Sequence, residues 1–107
     1  MFLMQLKIRS LTQKLPVTVL ETIERQFQYA LSRIEGRIGS VQLTIRDNNG
    51  PRGGVDQECR VLVQMKDGTR ITVSDTQDQL LAAVAKVAER AERVLSRRIE
   101  RRRSMKQ

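Results

Sequence analysis

From residue 80 onward, apolar side chains return at Leu80, Leu81, Val84, Val87, Ala88, Ala91, Val94 and Leu95, a spacing that only a helix gathers onto one face. Turned by about 100° per residue, the same helix carries Lys86, Arg90, Arg93, Arg97 and Arg101 in a narrow stripe roughly opposite. Such a helix cannot stand alone. Its apolar side needs a cover, and its cationic side needs water or an anion. The segment Arg90 to Gln107 sharpens the second demand: Arg90, Arg93, Arg97, Arg98, Arg101, Arg102, Arg103 and Lys106 face only Glu92 and Glu100. Positive charge concentrated on one element raises the local potential and attracts polyanions, which makes this helix a footprint for RNA or DNA. A solvated charged tail that serves solubility is the other reading of the same residues.

The cover comes from the rest of the chain. Phe2, Met4, Leu6 and Ile8 alternate with Leu3, Gln5, Lys7 and Arg9, the period of a strand with one buried face. Thr18 followed by Glu21 has the form of a capping box, and Leu20, Ile23, Phe27, Ala30, Leu31 and Ile34 then recur at helical spacing until Gly36. Val41, Leu43 and Ile45 alternate with Gln42, Thr44 and Arg46 as a second strand, which runs into the turn-rich stretch from Asp47 to Gly54. Cys59, Val61, Val63 and Met65 make a third strand. Asp67-Gly68 signals a tight hairpin with positive φ at both positions, leading to a fourth strand at Ile71 and Val73. Ser74 to Asp78 offer caps for the long helix. The order is β-α-β-β-β-α, an α+β fold in which two amphipathic helices cover one face of a four-stranded sheet. Residues 1–103 are expected to form one domain, with 104–107 a short C-terminal tail.

Composition removes several function classes. The chain of 107 residues has a net charge of +8, no histidine, no tryptophan and one cysteine, so the usual general base, the usual metal cluster and a disulfide framework are missing. The expectation is a protein that is not an enzyme and uses no cofactor, no metal and no small-molecule substrate. Cys59 falls at an inward strand position, where a buried thiol without a histidine to activate it is inert. The glycine-rich stretch before the third strand lacks the lysine and hydroxyl of a P-loop and opens no helix, so it reads as a hairpin tip that presents Arg52. The first residues read as a strand and not a signal peptide, and no segment approaches the roughly twenty apolar residues that span a bilayer. These features point to a cytoplasmic protein with no membrane partner and a reduced Cys59.

Two helices on one face leave the other sheet face open. Its outward positions include Lys7, Arg9, Arg46, Arg60, Lys66 and Arg70, offset by Asp56 and Glu58. Any half-exposed strand alternates in this way, and phosphate contacts would look the same. Aromatic residues for base stacking are few (Phe2, Phe27 and Tyr29), which favours recognition of backbone charge and shape over reading of single-stranded bases. The candidate RNA-binding set is therefore Lys86, Arg90, Arg93, Arg97 and Arg101 on the helix, with Lys7, Arg9, Arg46, Arg60 and Arg70 on the sheet.

Several short stretches, in order, are similar to the ribosome hibernation-promoting factors, also called ribosome-associated inhibitor or protein Y, in their short stand-alone form. They are Thr18 opening the first helix, Ala30-Leu31-Ser32-Arg33 followed by Arg37-Ile38, Asp47-Asn48-Asn49-Gly50 with Gly53-Gly54, Asp56 and Cys59-Arg60, and Ala82-Ala83-Val84 opening a basic helix. The resemblance covers nearly the whole chain. It implies a domain similar to a double-stranded-RNA-binding fold that lodges between head and body of the small ribosomal subunit. There it would cover the mRNA path and the tRNA sites and contact ribosomal RNA through basic residues. The family's lysine-rich stripe falls on Arg90, Arg93, Arg97 and Arg101, where arginine keeps the charge and adds bidentate phosphate geometry. Ile99 stands where the family often has another basic residue. The chain ends soon after this helix, which implies action within one ribosome, or dimerisation of ribosomes with help. The resulting expectation is a translation inhibitor of the stationary or stressed cell, acting by steric occlusion. A nonribosomal structured-RNA-binding module and a small protein-interaction subunit are the alternatives, and the oligomeric state stays open.

Overall fold

The computed structural model describes residues 5–49 and 55–105. The elements are β1 (Gln5–Ser10), α1 (Val17–Leu31), a 3-10 helix (Ser32–Arg37), β2 (Ile38–Asn49), β3 (Val55–Met65), β4 (Arg70–Gln77) and α2 (Leu80–Met105). They form one sheet in the order β1-β2-β3-β4. β1 runs parallel to β2, which requires a crossover, and α1 supplies it; β2, β3 and β4 then form an antiparallel meander. The α+β architecture and element order are those the hydrophobic periods predict.

One face of the sheet and one stripe of each helix make the core. Val41, Leu43 and Ile45 of β2, Cys59, Val61 and Val63 of β3, and Ile71 and Val73 of β4 point to the same side and are buried. Ile23, Phe27 and Leu31 of α1 meet them, together with Ala83, Val84, Val87, Ala88, Ala91 and Leu95 of α2. The three alanines carry little side chain, so α2 can lie close over the sheet. Truncating a fully buried leucine such as Leu95 to alanine in a core this dense costs about 2–5 kcal/mol. Leu6 and Ile8 of β1 are only partly buried against this cluster. No helix among the described residues is long and apolar enough to cross a membrane.

Local details depart from the sequence expectations at the element ends. Thr18 and Glu21 form no capping box, because α1 begins two residues earlier than a Thr18 cap would place it: Pro16 is the N-cap, and its carbonyl accepts the Leu20 N–H at 3.1 Å. Proline supplies an extended ψ of 152° at a fixed φ of −61° without any side-chain bond. α1 stops at Leu31, and the segment to Arg37 tightens into the 3-10 helix, with Ile34 half-buried beneath it. β2 and β3 extend to Asn49 and from Val55, into residues whose composition suggested a turn. β4 likewise absorbs Ser74–Gln77, so the first α2 hydrogen bond runs from Ala83 N–H to the carbonyl of Gln79. Lys66, expected to point outward from a strand, lies in the β3–β4 turn. Phe2, Met4, the loop at Gly50–Gly54 with Arg52, and Lys106 lie outside the described residues.

The β3–β4 hairpin is present, but its turn is not the one with positive φ at both central residues. Only Gly68 has positive φ, at 93°. Its N–H bonds the Met65 carbonyl at 3.0 Å, the Met65 N–H bonds the Thr69 carbonyl at 2.7 Å, and the Asp67 carboxylate accepts the Thr69 N–H at 2.8 Å. This is a three-residue loop in which Asp67 braces the turn from outside and Gly68 alone takes the left-handed angle. Gly68→Ala is expected to lower stability by about 1 kcal/mol through that angle. Gly36→Ala, with open space around its Cβ, should not, and denaturant midpoints of the two variants provide the check.

Candidate nucleic-acid interface

The strand register arranges the open sheet face in rows. Arg9, Thr44, Arg60 and Ser74 lie side by side across the four strands, as do Lys7, Gln42, Leu62 and Thr72. Arg46 pairs with Glu58 and then Thr76 in the next row, and Ser40, Gln64 and Arg70 form the row at the hairpin end. Arg9 and Arg60 are two strands apart, roughly 10 Å. Lys7, Arg9, Arg46, Arg60 and Arg70 are all exposed, and none has an acid partner among the described residues.

Lys86, Arg90, Arg93, Arg97 and Arg101 are also all exposed on α2, but they are not equivalent. Arg90 turns back to the sheet, donating to the Ser74 carbonyl at 2.8 Å and approaching the Asp75 carboxylate at 3.7 Å. It therefore satisfies a backbone group of the edge strand β4 and is partly committed to the fold. Arg93 pairs with Glu89 one turn earlier at 2.8 Å, an exposed contact worth little that a phosphate could displace. Lys86, Arg97 and Arg101 have no acid partner among the described residues.

The contact of Arg90 with β4 also orients the stripe. On its opposite flank α2 meets α1, where Gln26, Tyr29 and Ala30 share a cleft with Ala85, Ala88 and Glu92. The basic stripe thus overlooks the free edge of β4, and the basic sheet face begins on the other side of that strand. The two sets of cations predicted from separate elements form neighbouring surfaces.

The structure adds cations that the helical wheel did not single out. Arg98 and Arg102 sit three and seven residues beyond Leu95, on the side of α2 that faces the core, but here the helix has passed the end of the sheet. They gather near Arg37 and Lys66, and Arg102 donates to the Asp67 carboxylate in the β3–β4 turn. The signal in the sequence was a core-facing helical position that becomes basic after Leu95. Asp67 is held below the usual carboxylate range by the Thr69 N–H first and the Thr69 hydroxyl next, with Arg102 adding to both. Because the folded pKa is depressed, the contribution of this brace is present above the ordinary carboxylate pKa and lost as pH falls through the lowered value. An NMR titration should show the Asp67 carboxyl protonating below an unstructured aspartate.

Among the described residues, no group of three or more acidic or cysteine side chains could hold a metal ion. Cys59 is fully buried between Ile45 and Asp75 in the register; burial first, then the negative charges of Asp75 and Glu58, push its thiol up to about 12. It should label slowly in the native protein and rapidly after denaturation. Cys59→Ala is expected to cost on the order of 1 kcal/mol. Cys59→Ser should cost as much or more, since its hydroxyl must find a partner in an apolar layer. Thiol-labelling kinetics and chemical denaturation measure these outcomes.

Residues 10–103 match the family described as Sigma 54 modulation protein / S30EA ribosomal protein. The chain belongs to that family. The sequence resemblance to ribosome hibernation-promoting factors falls on the same group. Among solved structures, a ribosomal subunit interface protein from Coxiella burnetii superposes with a TM-score of 0.77 at 12% identity, covering 90% of this chain and 98% of that one. The Protein Y N-terminal domain of Thermus thermophilus superposes with a TM-score of 0.64, also at 12% identity, covering 85% of this chain and 93% of the other. At such identity the likeness is one of fold. No curated protein matches this chain. Arg90, in the α2 stripe, holds the α2 flank to β4 through the Ser74 carbonyl and Asp75.

Proposed function

We propose that this S30EA-family chain binds the small ribosomal subunit through ribosomal RNA and silences the ribosome by occupying the path of mRNA and tRNA. The observation that carries the reading is the pairing of family membership with two adjoining cationic surfaces whose side chains are largely unspent within the protein. Eight of the ten candidate side chains (Lys7, Arg9, Arg46, Arg60, Arg70, Lys86, Arg97 and Arg101) have no acid partner among the described residues, so their charge is available to phosphates. A surface set by strand register and helix packing suits the recognition of folded RNA by shape. The printed description of the Coxiella burnetii relative, a ribosomal subunit interface protein, is consistent with a seat on the face where the subunits join. Inhibition then needs no covalent step, and the buried Cys59 leaves no activated thiol to perform one.

Lys86, Arg97 and Arg101 provide a cleaner test than the full stripe, because Arg90 also holds the fold together. Replacing the three with alanine should weaken ribosome co-sedimentation while leaving the denaturation midpoint unchanged. If each contacts a phosphate, the slope of log affinity against log salt should flatten by about one per residue. In a purified translation system, mRNA and initiator tRNA bound beforehand should protect against inhibition. Full ribosome association by the folded triple variant, or a cleaved or modified ribosomal component after treatment, would refute the proposal.

A further inference from the structure

Past the end of the sheet, the last turns of α2 overhang the β3–β4 turn and the 3-10 helix, leaving a half-open cavity of about 560 Å³. That volume lies within the range of small-molecule sites, roughly 300–1,000 Å³. Its wall has two characters. The accessible edge of Met65 and the partly buried Ile99 form an apolar patch above the buried Leu95. Around it stand Arg37, Lys66, Arg98 and Arg101. Asp67 is the one carboxylate among the described lining residues, and Arg102 and the Thr69 N–H already engage it.

We propose that this cavity binds one nucleotide unit, a base together with its phosphate. A bare anion would use the cations and leave the apolar patch wet; a neutral apolar ligand would leave four cations crowded around it. A nucleotide satisfies both, with the flat base against Ile99 and the exposed edge of Met65 and the phosphate among the basic side chains. Guanidinium planes can also stack on a base, which compensates for the lack of aromatic side chains in the cavity wall. Ile99 acquires a role here: a basic residue at that position would remove the apolar seat for the base. Arg101 belongs both to the α2 stripe and to the cavity rim, so an RNA backbone followed along the stripe arrives at the opening. The nucleotide can therefore be an unpaired residue of bound RNA or a free mononucleotide. The RNA source rests on the ribosomal reading above, and the cavity chemistry does not.

Titration of the free protein with adenosine 5′-monophosphate, adenosine and inorganic phosphate, followed by amide NMR shifts, tests the cavity without a ribosome. The monophosphate should saturate, bind more tightly than either component, and shift residues around Met65, Lys66 and Ile99. Lys66→Ala with Arg98→Ala should weaken it by roughly tenfold, the scale of one lost charge-assisted hydrogen bond. Ile99→Ala should weaken the monophosphate but not phosphate. Lys14→Ala, a single loss of charge at the other end of the sheet, should change neither. Equal affinity for phosphate and the monophosphate, or an equal loss in Lys14→Ala, would overturn the proposal. Ribosome co-sedimentation then separates the two sources. A weaker Lys66→Ala/Arg98→Ala variant and competition by the monophosphate identify an RNA nucleotide, whereas unchanged ribosome binding beside intact monophosphate binding identifies a free one. Should the unaltered protein not bind ribosomes at all, the ribosomal reading fails while the NMR titration still decides the cavity.

Discussion

The burial of one side of α2 against β3 and β4 is the contact on which the rest of this molecule depends. Val84, Val87, Ala88, Ala91 and Leu95 disappear into the same cluster as Val61, Val63, Ile71 and Val73. A helix has only one rotation about its axis that buries that set, so the packing that stabilises the fold also aims the charges. Lys86, Arg97 and Arg101 are presented because the opposite side is held. The hydrophobic effect here acts as an orienting force on an electrostatic surface.

A chain with a net charge of +8 must also keep its cations from opposing its own folding. The arrangement achieves this by spreading them over an open sheet face and one helix flank, with strand and turn spacings between them. Two arginines of α2 bond other elements: Arg90 the Ser74 carbonyl and Arg102 the Asp67 carboxylate. Both tie α2 to β4 or to the turn that leads into it. They are exposed contacts of modest strength, and their value is positional, since they keep the long helix aligned with an edge strand that would otherwise present a bare backbone.

Most of the fold was legible because its signals are periodic. The alternation at Val41, Leu43 and Ile45 and at Cys59, Val61 and Val63 named the buried face of each strand correctly, and the three- and four-residue spacing did the same for Phe27 and Leu95. The misses lie where local chemistry was read without its neighbours. Thr18 looked like a cap, but Pro16 already had the backbone angles a helix start needs. Asp47 and Asn48 looked like a turn, but pairing with Gln57 and Asp56 carried the strands through them. Asp67-Gly68 marked the hairpin correctly and its turn geometry wrongly, since the Asp67 side chain braces Thr69 and needs no positive φ of its own.

The sequence by itself determined most of the buried set, the order of the elements, and the cationic stripe of α2 and the outward cations of the sheet, because each follows from a period of two or 3.6 along the chain; Leu81, read onto the buried face of α2, is exposed, and Ala83, outside the set read from the spacing, is fully buried. Which cations stand together was decided by tertiary structure. Arg9 and Arg60 share a row because β1 is parallel to β2 and β2 antiparallel to β3. Arg37, Lys66 and Arg98 meet because a helix longer than the sheet overhangs a turn. Such neighbours are brought together across long sequence separations by packing and register, and neither is written in any local spacing.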